Sequence, residues 1–243
     1  MAVKKKPAAA ARTANVTDVV ATLRRRSSKA TRDGMARYGI PSERAFGVPV
    51  GVLRQIAKAL GPSHELAEAL WQTGHYEARM LATFVDEPAK VTAEQMERWC
   101  NDFDNWAICD TACFALFDRT PHAFPKLTRW AKSEDEFKKR AAFALLASLT
   151  VHDKGAPDAA FLRCLPLIEQ AAEDERHFVK KSVNWALRSV GKRSAPLNRA
   201  CTELAERLAS RAESTPRWVG KDALRELRSA GVQKRLVARI KKA

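Results

Sequence analysis

From Val16 onward the chain reads as one amphipathic helix after another, and this periodicity limits the possible folds more than any other feature. Apolar residues recur at helical spacing, N-cap residues precede the segments and proline or glycine ends them; no convincing stretch alternates as a half-buried strand does. Val16, Val19, Val20 and Leu23 form the first stripe, and a short second helix ends at Tyr38, before Gly39 and Pro41. Pro49 suits the first turn of a third, whose stripe is Val50, Leu53, Ile56, Ala57 and Leu60. Thr92 with Gln95, and Ser133 with Glu136, have the spacing of capping boxes. Later helices are expected from Asp158 to Ala172, Asp174 to Val190, Pro196 to Arg211, Pro216 to Ser229 and Val232 to Lys242.

Segments of roughly 10 to 18 residues, joined by short turns and pairing at about 35 to 45 residues, have the period of HEAT-like and ARM-like solenoids. The fold expected is therefore all-α: a single helical-repeat domain over residues 15–243, curved so that its concave face is a binding groove. A compact helical bundle is the alternative. With 43 Lys and Arg against 28 Asp and Glu, the net charge of +15 points to a polyanionic partner, because basic side chains release counterions condensed on phosphates. No run approaches the roughly 20 apolar residues of a membrane span. Residues 1–14 hold Lys4, Lys5, Lys6 and Arg12 among alanines, the composition of a disordered basic tail rather than of a signal peptide. Five scattered cysteines without a Cys-x-x-Cys pair suggest a reduced, intracellular, cytoplasmic protein. His64, His75, His122, His152 and His177 stand apart from one another, and neither metal-ligand spacing nor a triad pattern is visible.

One acid interrupts the uncharged run between Asp104 and Asp118. At 3.6 residues per turn Trp106, Asp110, Cys113, Phe114 and Phe117 share a face, which sets Asp110 among aromatics and sulfur. A carboxylate in such surroundings is neutralised, paired or functional; a local helix-cap role and a functional one are equally open from this stretch alone. In Phe178 to Arg193, Val179, Val183, Ala186 and Val190 form a core stripe, and Lys181, Trp185, Arg188 and Lys192 repeat with the same spacing on the opposite side. Trp185 is thus expected among cations, where an aromatic suits a nucleic-acid backbone or base, unless a partner helix covers it. Arg140, flanked by Ala141 and Ala142, has the room to grip a phosphate with both arms of its guanidinium.

The ordered set Asn105-Trp106-x-x-x-Asp110, Lys139-Arg140-Ala-Ala and Phe178-Val-Lys-Lys-x-x-x-Trp185-Ala-Leu-Arg188 resembles the AlkD-type alkylpurine DNA glycosylases, the HEAT-like-repeat family of DNA alkylation repair enzymes. The likeness spans essentially all of the chain after the tail. It implies a monofunctional glycosylase that hydrolyses the N-glycosidic bond of N3- or N7-alkylated purines in double-stranded DNA and leaves an abasic site. Asp110 would be the catalytic carboxylate, Arg140 the arginine that contacts DNA beside it, and Trp106 and Trp185 the cleft tryptophans that contact the damaged nucleotide's backbone. Tyr38 matches the aromatic that the family's N-terminal segment offers to DNA; where a polar residue is expected to accompany it, this chain has Pro49. Lys181, Arg188, Lys192 and Arg193 would add DNA contacts. The resemblance further implies no cofactor and no metal; nothing in the sequence suggests more than a monomer, expected on the nucleoid while bound to DNA. A non-catalytic helical-repeat protein binding damaged or branched nucleic acid fits the same basic helices.

Overall fold

A computed structural model describes residues 15–240; the tail expected over residues 1–14 lies outside the described residues, as do the last three. Fifteen α-helices follow in order: α1 (Val16–Arg25), α2 (Lys29–Met35), α3 (Val50–Leu60), α4 (His64–Gln72), α5 (Tyr76–Val85), α6 (Ala93–Asn101), α7 (Trp106–Ala115), α8 (Ala123–Trp130), α9 (Glu136–His152), α10 (Asp158–Leu162), α11 (Leu165–Ala171), α12 (His177–Gly191), α13 (Ala195–Ala209), α14 (Ser214–Leu227) and α15 (Ala230–Ile240). Single 3₁₀ turns at Ala36–Tyr38 and Phe117–Arg119 complete them, and no strand occurs among the described residues. None of these helices is long and apolar enough to cross a membrane.

The helices form two layers. α3, α5, α7, α9, α12 and α14 pack each on the next to make an inner ladder, while α4, α8 and α13 lie against α5, α9 and α14 as their outer partners. This is the helical-repeat architecture expected from the spacing. One continuous core runs between the layers from Val19 to Leu227. Its centre is α9, in which every residue from Arg140 to Thr150 is buried. A helix with Ala, Leu and Phe on all sides has no solvent face to offer and must be enclosed, here chiefly by α12, α7 and α8.

Capping chemistry sets many of the helix starts. Asn15, Ser28, Ser63, Thr92 and Ser194 each accept a backbone N–H from the first turn of the helix that follows. Three sequence expectations are corrected. The cap of α9 is Asp135, which accepts the Lys138 N–H at 2.8 Å, so Ser133 and Glu136 do not form the box. The helix expected from Asp158 to Ala172 is two, because Pro166 has no N–H and its ring would collide with the Leu162 carbonyl in a continuous helix. α12 begins at His177 rather than Asp174, whose carboxylate instead accepts the Arg176 N–H and pairs with Arg176 and Lys139.

The entry to α3 is pinned from beneath. Glu77 of α5 is fully buried, and its carboxylate accepts the backbone N–H groups of Phe46 at 2.8 Å, Gly47 at 2.6 Å and Val48 at 3.1 Å. Gly47 has φ +82°, and a Cβ there would sit 2.2 Å from the Ser28 carbonyl oxygen, so no larger residue fits. This anchoring sets the position of α3 and of the basic side chains it carries.

Candidate functional site

The inner face of α7 supplies the centre of the site. Asn105 caps the helix by accepting the Ala107 and Ile108 N–H groups, both at 3.0 Å. Trp106, Asp110 and Phe114 then follow at i, i+4 and i+8 on the side away from the core, all three half-buried. Cys113 and Phe117, expected on that face, are fully buried: Cys113 is turned toward α9, with its thiol on the Ala141 carbonyl, and α7 ends at Ala115 before Phe117 is reached.

Asp110 is tied by a fork. Arg140 Nε donates to Oδ1 at 2.9 Å and Nη2 to Oδ2 at 2.6 Å, while Nη1 donates to the Phe178 carbonyl at 2.8 Å. One guanidinium thus joins α7, α9 and the start of α12. The small neighbours Ala141 and Ala142 allow the close approach, but the anion it grips is a carboxylate of the protein itself. The Asp110 side chain keeps 18% of its surface exposed. Burial raises its pKa above the ordinary aspartate value, and the attraction and hydrogen bonds of Arg140 oppose that shift without cancelling it.

Asp110 opens on a groove of about 830 Å³ lined by α7, α12, α3 and the end of α5. Trp185 forms one wall; its ring lies parallel to Phe114, with centroids 5.1 Å apart and 2° between planes. Arg54 and Lys58 of α3 border the opposite side, with the Arg54 guanidinium 4.5 Å from the Phe84 ring. Arg140 faces a second hollow, of about 430 Å³, shared with Tyr38, Trp106, His177 and Lys181. There the Trp106 indole N–H donates to the Tyr38 carbonyl at 2.7 Å, which leaves the Tyr38 ring 67% exposed. Lys181 is exposed and lies 4.6 Å over the Trp218 ring.

The structure therefore gathers Trp106, Asp110, Arg140 and Trp185 around two adjoining hollows, with Tyr38 and Lys181 at the second. Trp185 stands on Phe114 rather than in a row of cations. Three of the expected DNA contacts have partners within the chain. Arg188 and Lys192 both pair with Glu226 of α14. Arg193 donates to the carbonyls of Thr150, Lys154 and Ala156 and covers the Phe161 ring. These cations hold α12 to α14 and to the loop after α9, an outcome that a count of basic residues does not reveal. Conversely, Arg54, Lys58 and Arg119 line the groove, and nothing in the sequence reading singled them out. The i, i+4 spacing of Arg54 and Lys58 beside the α3 stripe was a signal, though an ordinary one in so basic a chain. Among the described residues no cluster of three or more His, Cys, Asp or Glu side chains could hold a metal ion. All five cysteines are free and buried.

Residues 19–227 match the family model described as "DNA alkylation repair enzyme". The uncharacterised protein Lin0241 of Listeria innocua serovar 6a is 23% identical over 164 residues, 66% of this chain and 71% of that one. A solved structure described as belonging to a new family of proteins related to the HEAT-like repeat DNA glycosylases, with affinity for branched DNA structures, superposes with a TM-score of 0.73; it is 21% identical and covers 88% of this chain and 96% of its own.

Proposed function

Since the chain belongs to the DNA alkylation repair enzyme family, we propose that it is a monofunctional DNA glycosylase that removes N3- or N7-alkylated purines from duplex DNA. The observation that carries this reading is a partly exposed carboxylate, Asp110, opening on a groove walled by the stacked Trp185–Phe114 pair, with Trp106 one turn earlier on α7 at the adjoining hollow. An alkylated purine already carries positive charge and leaves without a general acid. The breaking bond puts positive charge on the deoxyribose, and a nearby carboxylate stabilises it. Arg140 occupies one lone pair on each oxygen of Asp110 and leaves the others directed elsewhere, so it acts as a positioning residue for the carboxylate. Partial burial keeps the charge effective, because few waters screen it. The same carboxylate orients the water that completes hydrolysis to an abasic site. Tyr38, Lys181, Arg54 and Lys58 are placed to contact the DNA backbone on either side.

The deciding experiment incubates the protein with duplex DNA containing 7-methylguanine. Base release by the wild type and its loss in Asp110→Asn are expected; no release, or equal release by the variant, overturns the reading. A second reading, a non-catalytic binder of branched DNA, is favoured by the affinity described for the structurally similar family and by the neutralisation of Asp110 by Arg140. It requires binding to a four-way junction that survives Asp110→Asn, with no abasic product from any substrate.

A further inference from the structure

The groove contains a second anchored side chain that the chemistry above does not use. His152 closes α9, and its Nδ1 is hydrogen-bonded to the carboxylate of Asp118 in the turn after α7, 34 residues away in sequence. Ser148, one turn earlier on α9, donates to the same carboxylate oxygen. The Asp118 side chain has no exposed surface, and its other oxygen is buried without a hydrogen-bond partner. The nearest further cation is the neighbouring Arg119, whose Nε lies 4.0 Å from that oxygen.

A buried carboxylate persists only beside protons or cations. It therefore holds the Nδ1 proton of His152 and turns the opposite nitrogen, Nε2, away from itself. A histidine kept only for packing would be covered, whereas 36% of this side chain is exposed and it lines the groove that Asp110 opens on. Its ring meets Phe114 edge-on at 5.8 Å, against the ring on which Trp185 stacks. Arg119, 55% exposed, borders the same groove. The local charge is positive: Asp110 is already matched by Arg140 and Asp118 stands beside Arg119, while Arg54 and Lys58 border the same groove.

We propose that His152 and Arg119 form a phosphate clamp, in which a phosphodiester of bound DNA accepts hydrogen bonds from the Arg119 guanidinium and from the Nε2–H of His152 as the imidazolium, whose Nδ1–H is given to Asp118. Phe114 lies one helical turn along α7 from Asp110, so the phosphate held there flanks the nucleotide at Asp110 rather than belonging to the scissile position. Asp118 is the positioning residue: it fixes the imidazole as a second carboxylate fixes a metal-ligating histidine. The inference rests on reading the groove as a DNA-binding surface and is independent of whether the bound DNA is cleaved.

The test is fluorescence anisotropy of an unmodified labelled duplex over a range of salt concentrations, with wild type, His152→Gln, Arg119→Gln and, as a control on the outer helix α13, Arg207→Gln. Each removed phosphate contact is expected to weaken binding about 5- to 10-fold at moderate salt and to make the slope of log affinity against log salt shallower by about 1. The control is expected to keep the wild-type slope. Arg119 is exposed, so its variant reports even should His152→Gln disturb the fold. Wild-type slopes in both groove variants, or weaker binding without a change in slope, overturn the clamp and leave the DNA-binding reading intact. A wild type that does not bind at low salt overturns both.

Discussion

Two acids that keep similar side-chain surface, one on α6 and one on α7, are treated in opposite ways by this fold. Glu97 on α6 keeps 24% of its side-chain surface and Asp110 on α7 keeps 18%. Glu97 accepts from Lys126 and Lys138, both at 2.8 Å, and from the Trp130 indole at 3.0 Å. Burial pushes its pKa up, but these three donors overcome it and bring the carboxyl down to about 2. Asp110 has a single partner, Arg140, and there burial prevails and the pKa rises. Two things separate them: Glu97 has three donating partners in shallow surroundings, whereas Asp110 has one and is set deeper in the protein. Glu97 is satisfied and ties α6 to α8 and α9. Asp110 keeps a single partner residue and is turned to the groove.

The largest effect that sharpens this contrast is expected from Asp110→Asn. It should slow release of 7-methylguanine about 100- to 1,000-fold, measured in single turnover, while DNA affinity is retained. Near-normal release would break the contrast outright. Next, Glu97→Gln removes the charge that holds two lysines and should lower unfolding free energy by about 2 kcal/mol, read from the urea midpoint, with base release per folded molecule unchanged. Arg140→Lys keeps the charge but loses the two-armed grip and the bond to the Phe178 carbonyl; about a 10-fold loss of release is expected. If Asp110 needs no positioning, that variant will be silent.

The smallest effects are in pH. Glu97 is depressed in the folded state, so its contribution to stability is complete above the ordinary value near 4.5 and lost as pH falls toward about 2. The acid limb of wild-type unfolding should accordingly flatten in Glu97→Gln. Asp110 has the opposite sign: its ionised form costs folding stability at neutral pH, and that cost is relieved as pH falls through its raised pKa. Base release needs the ionised form, so its acid limb should lie above 3.8, the ordinary aspartate value. A limb at or below that value would show that the carboxylate is better solvated than its burial implies.

Much of the groove acid was legible before any coordinates. Asp110 stands out as the one acid in an uncharged run, with a cap role and a functional one equally open from that run alone, and Trp106, one turn earlier, follows from the periodicity. The two-armed grip of Arg140 was readable from its small neighbours, whereas its target, 30 residues away on another helix, was not. Arg188, Lys192 and Arg193 show the same limit from the other side. Their spacing is that of a solvated basic stripe, yet Glu226 and the carbonyls of the loop after α9 take them up. His152 looked isolated in sequence and became part of a network only when α9 placed it beside Asp118.

By itself the sequence determined the all-α class, the repeat period, most helix starts and the identity of the odd acid, because these depend on neighbours within a few residues: periodicity, caps, and proline where an N–H is needed. Only the tertiary structure decided which cations stay free along the groove and which are spent within the chain, and which carboxylate opens on that groove. Charge is neutralised by whatever lies a few ångströms away in space, and in a helical solenoid those neighbours come from the next repeat, about 30 to 40 residues along the chain.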